Sequence, residues 1–166
     1  METIGPGVMR ILGVDYGEAV IGLAVSDEMA RIAQGLTSLR RRGGPGGRQP
    51  ADCVEAIAEI ARGREVGEIV VGLPKNMDGT LGPAAQAAQV FAQALESRTG
   101  LPVHLWDERL TTRQAERAMI AAGVRRSKRR AALDVAAATL ILQGFLDHRT
   151  LASPAAQSGW DPSGEA

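Results

Sequence analysis

Apolar positions in this chain come in short dense runs near its start and middle, and in helical stripes elsewhere. Arg10 to Asp27 reads Arg-Ile-Leu-Gly-Val-Asp-Tyr-Gly-Glu-Ala-Val-Ile-Gly-Leu-Ala-Val-Ser-Asp. Two β-branched runs flank a break at Tyr16, Gly17 and Glu18, which predicts a tight hairpin between two buried strands. One residue breaks the pattern. Asp15 ends the first run where a buried strand carries an apolar side chain, and a carboxylate there has to be paired, hydrogen-bonded or bound to a metal. Gly13 before it and Gly17 after it leave room for another backbone, a metal or a phosphate to approach.

Beyond the hairpin, looser alternation over Ala30–Leu39 predicts a third strand with Ile32, Leu36 and Leu39 as its apolar members. Arg40–Pro50, with four arginines and four glycines, reads as a flexible basic loop. Pro50 opens a helix in which Val54, Ile57, Ile60 and Ala61 recur at helical spacing, with Gly63 as its stop. Glu68–Leu73 is a nearly continuous apolar run closed by Pro74, the mark of a strand covered on both faces. A polar, turn-rich loop then leads to a second helix from Pro83. Its predicted stripe is Ala84, Ala87, Phe91, Ala94 and Leu95, and Gly100 and Pro102 end it.

Val103–Trp106 predicts the fifth strand, which runs straight into Asp107, Glu108 and Arg109. Thr111 and Gln114 have capping-box spacing ahead of a helix with Ala115, Ala118, Met119 and Ala122 on one face, before Gly123. The last helix, about Arg129–Asp147, carries Ala138, Ile141, Leu142 and Phe145 toward the core. Counting back four from Ala138 puts Asp134 on the same apolar stripe, a second misplaced acid. Residues 1–9 and 150–166 have no period and read as a disordered lead and tail, with Trp160 in the tail given no role. One domain is expected over residues 10–149.

Composition narrows the picture. At 166 residues the chain is long enough for one domain with a full core. Its formal net charge is +0, so contact with nucleic acid has to come from local clusters. Two exist: Arg40, Arg41 and Arg42, and the denser Arg125, Arg126, Lys128, Arg129 and Arg130. Cys53 is the only cysteine, which excludes an internal disulfide and a cysteine-built zinc site and suits a reducing cytoplasm. It is expected to be a small core residue on a helix. No apolar run is long enough to cross a bilayer and the first residues lack a signal-peptide pattern, so a cytoplasmic protein without a membrane partner is expected.

The order of elements predicts an α/β fold, a mixed five-stranded sheet with helices on its faces. Right-handed crossovers make the strands beginning at Arg10, Glu68 and Val103 parallel. Asp15, the loop from Pro74 and the Asp107/Glu108 pair then emerge at one edge, where open α/β sheets bind ligands. A last helix packed across the sheet brings Asp134 to the same place. Three carboxylates with no histidine or cysteine are hard oxygen ligands suited to Mg²⁺ or Mn²⁺. Two such ions roughly 4 Å apart can activate a water and stabilise the departing oxygen in phosphodiester hydrolysis. The basic run before Asp134 can hold a phosphate backbone beside them.

Taken singly, each feature has a plainer reading. An acid at a strand end often caps or pairs, as Asp107 would with Arg109, and a basic run is usually a solvated face. Their convergence on one edge is what points to a nuclease. Parity leaves the choice between Asp107 and Glu108 open.

Four blocks in order make the pattern more specific: Gly-Val-Asp-Tyr-Gly with Ile-Gly-Leu-Ala-Val-Ser-Asp, Val-Gly-Leu-Pro-Lys-Asn-Met-Asp-Gly-Thr, Asp-Glu-Arg-Leu-Thr-Thr, and Asp134 followed by Ala-Ala. Over roughly Arg10–Asp147 the chain resembles the YqgF/RuvX family. The resemblance implies an RNase H-like three-layer fold, in the broad group that holds RuvC resolvases, and a divalent-metal endonuclease. Members of that family are described as processing the 5′ end of precursor small-subunit ribosomal RNA or as resolving Holliday junctions, and the family motif does not separate the two. Ribosomal RNA maturation is ranked first, as the family is described.

Carried over by motif, Asp15, Glu108 and Asp134 are the catalytic metal ligands, with Asp107 in reserve for Glu108. Lys75, Asn76 and Arg109 are candidates to position substrate, although Asn76 and Asp78 could instead shape their own turn. Thr111 and Thr112 begin a helix whose free N–H groups could hold a phosphate, capping being their simpler role. Two departures from the family stand out. Glu18, Ala19 and Val20 replace the basic residues that many relatives carry after the Asp-Tyr-Gly turn. Ala137 and Ala138 stand where RuvC-type helices offer a further acid, so a three-carboxylate site is expected.

Other classes compete. The Gly-Val-Asp-Tyr-Gly opening also looks like the first phosphate loop of sugar kinases and actin-like ATPases, which close two such domains over ATP where this chain has one. A non-catalytic nucleic-acid-binding scaffold is the third reading, with retention of all three acids against it. Symmetric junction cleavage requires a homodimer, on which the sequence is silent.

Overall fold

The computed structural model describes residues 9–41, 50–107 and 126–152, with the side chains of the last segment described from Val135 to Arg149. Strands β1 (Arg10–Tyr16), β2 (Val20–Ser26) and β3 (Ala33–Arg40) precede helix α1 (Pro50–Gly63), strand β4 (Val66–Leu73), helix α2 (Pro83–Thr99) and strand β5 (Val103–Asp107). Helix α3 (Arg126–Ala152) follows. The predicted helix after Thr111 lies outside the described residues.

The sheet order is β3-β2-β1-β4-β5. β2 pairs antiparallel with both β1 and β3, whereas β4 pairs parallel with β1 and with β5. This is the predicted mixed five-stranded sheet, with the three parallel strands ending at a common edge. Alternation sorts the side chains to two faces. Leu12, Val14, Ile69, Val71 and Leu73 join Ile57, Phe91 and Leu95 in the core beneath α1 and α2. Ile11, Ala24 and Val70 join Ala138, Ile141, Leu142 and Leu146 in a second core beneath α3. Each large aliphatic side chain so buried contributes about 1.5–3 kcal/mol, which makes α3 as much a part of the fold as the other two helices.

Backbone groups are satisfied locally. Where the β1–β4 ladder shifts register between Arg10 and Ile11, the Ile11 N–H donates to Ser26 Oγ at 2.8 Å, and that hydroxyl donates to the Asp27 carbonyl at 2.9 Å. Ser26 is accordingly a polar residue that can be buried, at 1 % exposure. α2 ends at Gly100, whose φ of 71° is left-handed and whose N–H caps the Glu96 carbonyl. Cys53 is buried in α1, as expected of a small core residue.

Three expectations shift. Ile32 precedes β3 and is exposed at 62 %, because the Asp27 carboxylate accepts from the N–H groups of Arg31 and Ile32 and turns the chain outward there. In α2 the buried stripe is Ala85, Ala88, Phe91, Ala92 and Leu95, whereas Ala84, Ala87 and Ala94 face solvent. So many alanines leave the helical phase weakly marked, and Phe91 with Leu95 sets it. Arg40 and Arg41, read as loop, close β3 against the hairpin: Arg40 pairs with Val20, and the Arg41 N–H donates to the Ala19 carbonyl at 2.8 Å.

Candidate active site

β1, β4 and β5 finish at Tyr16, Leu73 and Asp107, so their outgoing connections share one edge of the sheet. Asp15 lies there, half-buried, with the parity of Ile11 and Gly13, which is the α3 face. α3 comes down hard on that face. A Cβ at position 13 would stand 2.7 Å from Leu142 Cβ and 3.1 Å from the Ala138 carbonyl oxygen.

The helix direction follows from a second glycine. Gly35 is level with Gly13 through Ala24, and a Cβ there would meet Val135 Cγ1 at 2.4 Å. Ala33, toward the amino end of β1, instead donates its N–H to Gln143 Oε1 at 2.9 Å. α3 therefore runs from the carboxyl edge of β1 toward its amino edge. Asp134 stands one turn before Ala138, about 6 Å along the helix, while Asp15 stands two residues past Gly13, about 6.7 Å along the strand. Both steps lead toward the same edge.

Asp107 is separated from Asp15 by the sheet. It is in register with Leu73, whose side chain belongs to the α1/α2 core, whereas Trp106 lies under α3, edge-on to Phe145 at 6.3 Å. The reserve ligand thus occupies the opposite parity. Glu108 lies outside the described residues, as do Arg109, Thr111, Thr112 and Arg125. Arg126, Lys128, Arg129 and Arg130 form the first turns of α3, at the end nearest the edge.

The turn after Asp15 is braced. The Gly17 N–H donates to the Val20 carbonyl at 3.0 Å, and a Cβ on Gly17 would stand 2.6 Å from that oxygen, so only glycine fits. Tyr16 stacks on Phe91 with ring centroids 4.2 Å apart, and the Arg41 guanidinium covers Tyr16 at 4.2 Å. Arg41 Nη1 also donates to the Gly17 carbonyl at 2.5 Å. Nothing in the sequence marks this stack, because Arg41 stands in a run of arginines.

The loop after β4 is closed on itself. The Asn76 N–H donates to the Thr80 carbonyl at 2.9 Å, its Nδ2 donates to Thr80 Oγ1 at 3.0 Å, and Asp78 Oδ1 accepts from the Thr80 N–H and hydroxyl at 2.9 and 2.6 Å. The Thr80 hydroxyl and N–H hold the Asp78 carboxyl below its usual range. Asn76 and Asp78 therefore shape their own turn, the simpler of the two roles expected for them. Lys75 is half-buried at the base of the loop.

Among the described residues no group of three or more histidine, cysteine, aspartate or glutamate side chains is gathered to hold a metal. Of the three expected ligands Asp15, Glu108 and Asp134, only Asp15 has its side chain among the described residues. Its chemistry suits a hard cation: a carboxylate oxygen donor at the carboxyl end of β1, two residues from Gly13 and two from Gly17. No helix among the described residues is long and apolar enough to cross a membrane.

Comparison with known proteins bears on the family and the fold. The chain is 49% identical over 140 residues, 84% of its length and 93% of the relative's, to a Desulfitobacterium hafniense protein named "Putative pre-16S rRNA nuclease". It is 50% identical over 141 residues, 85% of its length and 98% of the relative's, to a protein of the same name from Anaeromyxobacter dehalogenans. In fold it is similar to T. thermophilus RuvC in complex with a Holliday junction substrate, with a TM-score of 0.55 at 17% identity over 86% of this chain and 96% of that one. This is the RNase H-like arrangement expected. The family model described as RuvX, Holliday junction resolvase, matches residues 9–148, and the chain belongs to the RuvX family.

Proposed function

We propose that this protein is a divalent-metal-dependent endonuclease that hydrolyses phosphodiester bonds in structured nucleic acid, with 5′-end maturation of precursor small-subunit ribosomal RNA as its task. The observation that carries the reading is Asp15. It sits at the carboxyl edge on the face closed by α3, and the Gly13 contact holds that strand against the helix bearing Asp134 one turn earlier. With Asp107 in register with Leu73 on the α1/α2 face, Glu108 is taken as the second ligand by its place in the motif. Mg²⁺ or Mn²⁺ held by such oxygen donors supplies an activated water and a counter-charge for the departing oxygen.

The chain's own residues do the rest. Arg41 and Phe91 immobilise Tyr16 and so fix the backbone that carries Asp15. The basic first turns of α3 attract the phosphate backbone, with Lys75 at the base of the neighbouring loop. Asn76 supports that loop and is not assigned a contact to substrate. A buried lone cysteine and an RNA substrate suit the cytoplasm.

The names of relatives matched over nearly their whole length favour ribosomal RNA. The family description favours junction resolution, which needs two copies for symmetric cutting. The deciding experiment offers end-labelled precursor ribosomal RNA and four-way DNA junctions to the parent and to Asp15→Asn, with Mg²⁺, Mn²⁺ or chelator. Expected is metal-dependent cutting of the RNA that falls by more than about 100-fold in the variant. Cutting of the junction alone selects the second reading, and binding of nucleic acid without cutting under either metal selects a scaffold.

A further inference from the structure

Gln143 joins α3 to the turn between β2 and β3 through its side-chain amide. Its Oε1 accepts from the Ala33 N–H at 2.9 Å, and its Nε2 donates to the Arg31 carbonyl at 3.0 Å and to Asp147 Oδ1, one helical turn later, at 2.9 Å. These partners fix which way the amide faces, because an N–H only donates, and a carbonyl or ionised carboxylate only accepts. The turn meets Gln143 already shaped. Asp27 Oδ1 accepts from the Arg31 and Ile32 N–H groups at 2.7 and 3.0 Å, and the Asp27 N–H donates to the Ile32 carbonyl at 3.0 Å.

The apolar contact beneath α3 sets its distance from the sheet more firmly than its position along its own axis. Gly13, Ala24 and Gly35 lie side by side on three strands and form a flat strip under the helix. Such a strip lets the helix come close and offers few ridges to stop a slide. At the far end, Arg149 reaches Glu68 on a long, half-exposed side chain. Gln143 differs in kind, since two opposed bonds onto one short stretch of backbone oppose both sliding and rolling of the helix. Asp134 stands nine residues earlier on the same helix, about 13.5 Å along its axis. A slip of one residue's rise at Gln143 carries Asp134 with it by about 1.5 Å, and a misplacement of about 1 Å at a reacting centre is enough to cost roughly 100-fold in rate.

We propose that Gln143 is a positioning residue for the nuclease site: its two bonds to the β2–β3 turn set the register of α3 on the sheet, and with it the place of Asp134 relative to Asp15. The inference rests on the nuclease reading and deepens it. Ala33 is half-buried and Arg31 exposed, so water can replace the lost bonds, and removing the amide costs register more than fold.

The full chain is compared with two variants: Gln143→Met, which keeps the length of the side chain and loses both bonds, and Gln143→Glu, which keeps its shape and turns the donor into a second acceptor. Ile57→Val, in the core beneath α1 and α2, controls for lost stability, read for every protein as a urea midpoint. Cleavage of precursor ribosomal RNA and of four-way junctions is measured against Mn²⁺ concentration, and Mn²⁺ binding without nucleic acid is read from the paramagnetic resonance of the free ion. Expected for both Gln143 variants are a kcat lower by about tenfold or more, an unchanged KM for nucleic acid and Mn²⁺ binding weakened by about tenfold. Ile57→Val should leave all three as in the parent. Parent-like kcat and Mn²⁺ affinity in either folded Gln143 variant, a change confined to KM, or equal losses in Ile57→Val overturn the positioning role and leave the nuclease reading standing. A parent protein that binds no Mn²⁺ and cuts neither substrate overturns both.

Discussion

Gly13 on β1 lies directly beneath Leu142 on α3, with room for a hydrogen and not for a methyl group: a Cβ there would stand 2.7 Å from Leu142 Cβ. The Ala138 carbonyl oxygen, 3.1 Å away, is part of the helix backbone and cannot rotate aside. Gly13→Ala therefore has to lift α3 from the sheet at the point from which Asp15 and Asp134 are both positioned. A loss of about 1–3 kcal/mol in urea unfolding is expected, with cleavage falling further than stability explains. An unchanged urea midpoint would show that α3 is not seated where described.

Arg41 reaches the same centre from the other face. It covers Tyr16, which stacks on Phe91, and donates to the Gly17 carbonyl. Arg41→Ala removes a cation–π contact and a charge-assisted hydrogen bond, together about 1–2 kcal/mol. Arg41→Lys recovers little, because an ammonium lacks the planar surface that lies on the ring. In steady-state cleavage the expected change is a lower kcat with KM nearly unchanged, as for a positioning residue. A rise in KM alone would make Arg41 a substrate contact instead.

The sheet was legible because β-branched runs broken by glycine and proline leave few alternatives, and right-handed crossovers then fix which strands are parallel. Asp15 stood out for the same reason, as a charge in an apolar run. Alanine-rich α2 was legible as a helix and not in phase, since its moment rests on Phe91 and Leu95 alone. Asn76 illustrates another limit: a motif shows that a polar side chain is wanted without showing whether it faces a ligand or its own loop. Asp107 differs again, because its side of the sheet depends on where β5 ends, which is one residue later than its apolar run suggested. Arg41 had no local signal at all, being one arginine among several.

The far end of α3 is fastened by charge. Arg149 Nη2 donates to Glu68 Oε1 at 2.9 Å, Nη1 bonds the other carboxylate oxygen, and His104 Nε2 lies 3.3 Å from Oε1. Arg149 is the main cause that holds the Glu68 carboxyl below its ordinary value of 4.5, with His104 adding to it against the opposing effect of burial. The stabilisation is thus fully present above the unfolded value and is lost as pH falls through the lower folded one. Glu68→Gln should lower stability near neutrality by about 0.5–1 kcal/mol, the solvent-screened worth of a half-exposed pair. It should also flatten the acid limb of urea midpoint against pH. Parallel acid limbs for the two proteins would remove Glu68 from the account of acid sensitivity.

The opposite end of α3 is charged the wrong way for its own stability. Arg126, Lys128, Arg129 and Arg130 occupy its first turns and no acid stands in the first turn, although the helix macrodipole favours anions there. The proposed nuclease function gives this arrangement a use, because basic residues at the start of the helix that carries Asp134 attract a phosphate backbone. Replacing Arg129 and Arg130 with glutamine should therefore raise stability at low salt, by about 0.3–1 kcal/mol per charge removed. The same change should weaken nucleic-acid binding by the Asp15→Asn protein and reduce the slope of log affinity against log salt by about one for each phosphate that is no longer neutralised. Urea unfolding and fluorescence anisotropy at several salt concentrations read the two effects on one preparation. Greater stability together with an unchanged salt slope would mean that the cations at the start of α3 serve something other than the phosphate backbone.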